Sequence, residues 1–284
     1  MDKRFRELVD FTRQMGDFAK EKQMSVHRSV KKDGSFVTET DLVINAKMIE
    51  KICALYPEAN IVTEENDTTP FRADAPLTIA VDPIDGTTAY SRGMANWGVS
   101  VGIVDTRSRT AVGGIVYFPR YGKETESSLF FREPGTDCVY LNEKPYEGPE
   151  ENRDDIKDMI VGDRTWKHIT FPEDFNCKMR SLCACTIDML TQILFIDFDA
   201  TINDHNCYVW DVAGTDAILS AYGIHSIMSD GTRELYTDNY LKDRNPYPLP
   251  VYAAKEKTLK FSRILVKLEL QKAQEKLTQT STVF

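Results

Sequence analysis

The 284-residue sequence lacks any apolar stretch approaching the roughly 20 residues of a membrane-spanning helix, which excludes a helical integral membrane protein. It also lacks a cysteine framework. Its six cysteines, at 53, 138, 177, 183, 185 and 207, form no CxxC spacing and no paired pattern. Cys183 and Cys185 stand one residue apart with no second ligand pair at zinc spacing, so they read as reduced thiols in a packed segment. Basic charge is in deficit: 35 Lys and Arg face 44 Asp and Glu, for a net charge of −9. A surface for nucleic acid or anionic lipid needs a basic footprint, and none is present. The N-terminal MDKRFRELVDFTRQMGDFAKEKQ is charged throughout and has no apolar signal core, so a cytoplasmic location is expected. No internal repeat or low-complexity segment occurs.

What remains is an ordinary globular composition, 42% hydrophobic and 28% charged, with ample material for a core. An acidic chain that handles phosphate must neutralise its site locally, and bound divalent cations do so most directly. Helical spacing of Phe5, Leu8, Val9, Thr12, Met15, Phe18 and Ala19 predicts an amphipathic helix over 3–22, and Ile44, Met48, Ile52 and Leu55 predict a second over 40–55. Between them, SVKKDGSFVTETD reads as a turn entering a short extended piece. Strands are predicted at 60–63, 77–81, 97–104, 111–118, 128–131, 159–161 and 199–202. Further helices are expected at 186–195, from Trp210 to a stop at Gly223, and over 255–276. Helices and strands interleave without a regular βαβ rhythm, so layers of helices and mixed, mostly antiparallel sheets are expected. The acidic stretch 146–158 is the best surface loop or seam. Residues 1–284 are accordingly expected to form one domain, with an N-terminal subdomain over 1–145 and a C-terminal subdomain over 146–284.

Three acidic clusters sit at the ends of predicted elements: Glu64 and Glu65 after IVT, Asp82 and Asp85 after LTIAV, and Asp211 at a helix start. Glu64 and Glu65 also fit a solvated pair, and Asp211 fits a favourable charge on a helix dipole. The segment Asp82-Pro83-Ile84-Asp85-Gly86-Thr87-Thr88 has no comparable bland reading. Pro83 stiffens the strand exit, and Gly86 permits close backbone approach, leaving the Gly86 and Thr87 amides to face an anion. A structural turn needs the glycine but not two carboxylates beside two threonines. Oxygen-only ligands of this kind select magnesium or manganese over zinc.

Four blocks resemble the inositol monophosphatase family, a branch of the lithium-sensitive, magnesium-dependent phosphatase superfamily. They are KDGSFVTETD at 32–41, TEE at 63–65, DPIDGTT at 82–88 and WDVAG at 210–214, in the family's order. The resemblance implies a layered α-β-α-β-α sandwich and a homodimer. It implies that Glu64, Asp82 and the Ile84 carbonyl hold one magnesium ion while Asp82, Asp85 and Asp211 hold a second, with manganese an acceptable substitute. Glu65 would assist as an outer carboxylate or hold a third ion. Thr87, assisted by Asp41, would orient an attacking water, and Lys32 would approach from a loop. Gly86, Thr87 and Asp85 would contact the phosphate ester.

Departures from the family pattern bear on the substrate. Cys183-Ala184 stands where the family carries a Gly-Ser-like pair ahead of the pocket helix, placing Ala184 at the substrate. Asp204, seven residues before Asp211, preserves an acidic group suited to polyol hydroxyls, though a turn aspartate explains it equally. Thr63 replaces the family's glycine in TEE, and AYSRG follows Thr88 in place of the usual Asn-Phe. The expected substrate is inositol monophosphate or a related small sugar or polyol phosphate. A 3′(2′),5′-bisphosphate nucleotidase or a histidinol-phosphate phosphatase is the alternative, and a non-enzymatic regulatory homologue is the reading from a different class.

Overall fold

The computed structural model describes residues 1–31, 36–65, 70–122, 126–148, 157–162, 177–181, 184–194, 198–203 and 207–255. The first helix, α1 (Lys3–Lys22), starts where the Asp2 carboxylate accepts hydrogen bonds from the Arg4 and Phe5 amides. A small antiparallel hairpin, β1 (Arg28–Val30) and β2 (Phe36–Thr38), leads into α2 (Glu39–Leu55), whose Thr38–Asp41 pair forms a reciprocal cap. The apolar stripes of α1 and α2 lie on one face of a seven-stranded sheet. Its strands are β3 (Asn60–Thr63), β4 (Leu77–Asp85), β5 (Gly98–Asp105), β6 (Thr110–Phe118), β7 (Ser128–Arg132), β8 (Val139–Leu141) and β9 (Lys144–Pro145), paired in chain order. Only β3 and β4 run parallel; every other pair is antiparallel.

Strand alternation decides which residues face which layer. Ile79, Val81, Val101, Ile103, Ile115, Tyr117, Leu129 and Phe131 pack with Phe5, Leu8, Ile44, Met48 and Ile52. The opposite face presents Ala80, Val116, Phe118 and Phe130 to the helices α4 (Cys185–Leu194) and α5 (Val209–Ser220). A second sheet closes the far side of those helices, ordered β11 (Lys178–Arg180), β10 (Asp158–Val161), β12 (Ala200–Asn203), β14 (Val251–Lys255) and β13 (Ile224–Met228). In it β11, β10 and β12 are parallel, whereas β14 is antiparallel to both its neighbours. Its outer face carries Met159, Val161, Ala200, Ile202, Ile227, Tyr252 and Ala254 in a third buried cluster. The order helix pair, sheet, helix pair, sheet is the α+β layering expected, and the described residues supply four of the five layers of the expected α-β-α-β-α sandwich.

Differences from the sequence expectation fall on short or two-faced elements and on one strand end: β4 runs to Asp85 rather than stopping at 81, so Pro83 sits in a bulge within the strand and not at its exit. Strands β8, β9, β11, β13 and β14 and the one-turn helix α6 (Asp238–Leu241) were not anticipated, being too brief or too irregular to show a period. Helix α5 ends at Ser220 rather than at Gly223, which instead adopts a left-handed turn conformation, φ +67°, just beyond it. Lys255 ends strand β14, and the rest of the helix expected over 255–276 lies outside the described residues, as does most of the 146–158 loop. No helix among the described residues is long and apolar enough to cross a membrane.

Helix α5 sinks unusually deep into the seven-stranded sheet. A Cβ on Gly102 would lie 2.4 Å from the Ala213 Cβ, one on Gly114 would lie 2.2 Å from the Gly214 carbonyl oxygen, and one on Gly214 would lie 2.8 Å from Ser100 Oγ. Glycine on both sides of the contact therefore permits backbone-to-backbone approach that any side chain would prevent. Gly114→Val should lower stability by about 1–3 kcal/mol through overpacking, read as a fall in the urea midpoint at unchanged slope. An unchanged midpoint would show that α5 does not seat as tightly as described.

Candidate metal centre

The close seating of α5 carries the first turn of that helix over the end of β4. Asp82 is on the α5 face of β4 by the same alternation that places Ala80 there. Asp85, three residues on, would point to the opposite face of a regular strand. It does not, because the β4–β5 register shifts between them: Asp82 pairs with Ser100 and Asp85 with Gly98, so Pro83 and Ile84 oppose the single residue Val99. This bulge restores both aspartates to one face, and Pro83, with no amide hydrogen, suits the interrupted ladder.

The result is one cluster in which Asp82, Asp85 and Asp211 each offer a carboxylate oxygen within 4.8 Å of the others. Asp82 and Asp85 are buried and Asp211 half-buried. Each is oriented by a local hydrogen bond. Asp82 Oδ1 accepts from the Ile84 amide at 3.0 Å, Asp211 Oδ2 from the Tyr208 amide at 2.6 Å, and Asp85 Oδ2 from the Thr186 amide at 2.8 Å and from the Thr186 hydroxyl. Thr186, in the first turn of α4, is a site residue that sequence reasoning missed; a hydroxyl opening the apolar TIDML run was its only signal.

Charge crowding follows. Two unit charges 4.8 Å apart repel by about 3 kcal/mol at an effective dielectric constant of about 20. Burial, then the charges of Glu64, Asp85, Asp211 and Asp41, push the Asp82 carboxyl well above the usual carboxylate range. Burial and Asp85 do the same to Asp211, against the helix-terminal amide that favours its charge. Three hard oxygen donors that destabilise one another at neutral pH fit a divalent cation such as magnesium or manganese.

Glu64 stands next to this cluster rather than within it. Its carboxylate accepts a hydrogen bond from Lys31 Nζ at 2.7 Å, and Glu65 accepts one from the same ammonium at 2.5 Å. Burial opposes the charge on Lys31, but the two glutamates outweigh it and raise its pKa. Burial and the Glu64 charge raise Glu65, with Lys31 opposing. The Ile84 carbonyl, expected as a ligand, lies 3.0 Å from Thr87 Oγ1. That hydroxyl is also 3.2 Å from Asp41 Oδ1, so its one proton serves the carbonyl or the carboxylate at a time. Burial raises the Asp41 carboxyl to about 7, while the hydrogen bonds from Thr38 pull it down and Glu64 and Glu65 push it up.

Gly86 adopts φ +86°, and a Cβ there would lie 3.0 Å from both the Ala184 Cβ and the Asn96 carbonyl oxygen. The turn into the short helix α3 (Thr87–Tyr90) thus needs glycine for conformation and for space. Ala184, expected at the substrate, is buried against this turn. Lys32, Cys183 and Asp204 lie outside the described residues; among the described residues Lys31, not anticipated, reaches the glutamates.

In protein stripped of divalent ions, the raised aspartates cost stability as they ionise. A carboxyl whose folded pKa exceeds its unfolded value holds more protons in the native state, so its contribution falls as pH rises through that window. Asp82→Asn should therefore gain stability over the unsubstituted chain as pH rises from about 4 to 7 in the presence of a chelator. Urea midpoints across that range check it, and a pH-independent difference would refute the crowding.

Comparison with known proteins agrees with the geometry. The model of the inositol monophosphatase family matches residues 11–258. Nus factor SuhB of Pasteurella multocida is 32% identical over 99 residues, 35% of this chain and 36% of that protein. The 3′(2′),5′-bisphosphate nucleotidase CysQ of Aggregatibacter actinomycetemcomitans is 32% identical over 102 residues, 35% of this chain and 37% of that protein. These matches span little more than a third of the curated relatives' lengths. Among solved structures, the Thermotoga maritima IMPase superposes with a TM-score of 0.74 at 18% identity, over 95% of this chain and 99% of that one.

Proposed function

The chain belongs to the inositol monophosphatase family, and on that premise we propose that it is a magnesium-dependent phosphomonoesterase acting on inositol monophosphate or a related small sugar or polyol phosphate. The observation that carries this reading is the convergence of Asp82, Asp85 and Asp211 beside the Gly86 turn. Asp82, Asp85 and Asp211 would hold one cation, and Glu64 with Asp82 and the Ile84 carbonyl another, with Glu65 outside them. Bound divalent cations would acidify a water and neutralise charge on the ester.

The remaining work falls to the chain's own groups. The Gly86 and Thr87 amides would bind phosphate oxygens, fixing the ester against the carboxylates. Thr87 would orient the attacking water through its hydroxyl, and Asp41, raised to about 7, can accept or return the Thr87 proton near neutrality. An acidic residue at 204 would favour hydroxyls over a second phosphate.

A nucleotide substrate is the second reading, favoured by the likeness to CysQ at the same identity as to SuhB. A non-enzymatic role, which the Nus-factor name of the SuhB relatives brings to mind, would leave the crowded carboxylates without a purpose. Phosphate release should be measured from inositol 1-phosphate, a 3′,5′-bisphosphate nucleotide and histidinol phosphate, with magnesium and after chelation. Magnesium-dependent release from the inositol ester is expected, with lithium inhibiting; release unaffected by chelation would overturn the mechanism. Thr87→Ala should lower kcat by about 100-fold or more with a smaller change in KM, and Asp82→Asn should nearly abolish turnover.

A further inference from the structure

Arg244 is part of no motif that pointed to the site, yet it touches both sides of it. It follows α6 in the segment that leads to β14, with its backbone in the left-handed region at φ +56°. Its Nη2 donates to the Thr63 carbonyl and to the Glu64 carbonyl at 3.4 Å. Its guanidinium carbon lies 5.3 Å from the centre of the Trp210 ring, which in turn stacks on Tyr208 at 4.6 Å with the planes 6° apart. One side chain therefore joins the end of β3, the edge strand of the first sheet, to the residue immediately before Asp211.

We infer that Arg244 is a positioning residue for the metal centre, holding Glu64 in register with Asp211. The inference rests on the assignment of Glu64 as a ligand. The Glu64 amide donates to the Val81 carbonyl at 3.2 Å, and its carbonyl accepts from Arg244, so the backbone of this residue is held from both sides. Strand pairing supplies the first restraint and Arg244 the second. Beyond Thr63 the β3–β4 register ends, and the guanidinium grips the Thr63 and Glu64 carbonyls where the Glu64 side chain, whose carboxylate accepts from Lys31, leaves the strand. The guanidinium lies over the Trp210 ring as a cation–π contact, and the Tyr208 amide that holds the Asp211 carboxylate belongs to the residue on which Trp210 stacks. Glu64 and Asp211, 147 residues apart in the chain, are thus both linked to the Arg244–Trp210–Tyr208 contact. A lysine could donate to the carbonyls, which Arg244 contacts through one nitrogen, but it lacks the planar guanidinium that lies over the Trp210 ring.

The test is Mn2+ titration of the full-length, chelator-stripped protein by calorimetry, for Arg244→Gly, Arg244→Lys, Glu64→Gln and the double variant Glu64→Gln/Arg244→Gly. Glycine accepts the left-handed backbone, so Arg244→Gly removes the guanidinium without adding strain. Arg244→Gly should weaken Mn2+ binding on the order of tenfold, the cost typical of losing a group that orients a ligand, and Arg244→Lys should recover part of it. In the Glu64→Gln background the same substitution should cost less than about threefold, because no Glu64 carboxylate remains to be aimed. Equal losses in both backgrounds would mean that Arg244 only supports the fold and would overturn the inference, as would no loss at all. Mn2+ affinity unchanged by Glu64→Gln alone would instead strike the ligand assignment, and the inference with it.

Discussion

Everything at this site depends on how closely helix α5 can approach the seven-stranded sheet. Glycines at 102, 114 and 214 bring backbone against backbone, and that contact sets the height of the helix's first turn above the end of β4. One methyl group on either surface would lift Asp211 away from Asp82 and Asp85. The small residues of the WDVAG block are therefore as much a part of the centre as its aspartate, since they act through distance where the aspartate acts through charge.

A second constraint is one of parity. Aspartates three residues apart cannot share a face of a regular strand, and the extra residue at Pro83–Ile84 resolves this by displacing the ladder once. The bulge delivers two carboxylates to the same side of the sheet, and the left-handed Gly86 turns the chain directly into the short helix that follows. Electrostatics then works against the fold that geometry has built, since burial and mutual repulsion push Asp82 and Asp211 toward protonation.

Much of this was legible in the sequence, and for identifiable reasons. Long elements with one buried face, such as α1, α2, β4, β5 and β6, announce themselves through their period. The DPIDGTT block combines residue types that no single structural need explains, and WDVAG stands out through its resemblance to the family block. What stayed hidden depends on contacts across the chain. Thr186 matters because α4 begins beside Asp85, and Lys31 because the β1–β2 hairpin reaches Glu64. Arg244 matters because a left-handed residue after a one-turn helix faces Trp210. None of these placements follows from local composition. Glu64 was anticipated as a member of the acidic cluster, but in the structure its carboxylate faces an ammonium, a distinction that spacing cannot express.

The acidic centre also has a bearing on how the native chain persists. Its three clustered carboxylates come from residues 82 to 211 and meet only when α5 is seated on the seven-stranded sheet, so the unfolded chain offers a cation no comparable site. By mass action, an ion held by the native form alone adds stability that grows with its concentration, about 2.7 kcal/mol at a hundredfold excess over the dissociation constant. Were a divalent cation to bind among these carboxylates, it would relieve their repulsion in the native form alone and tie the stability of the fold to the mineral content of its surroundings.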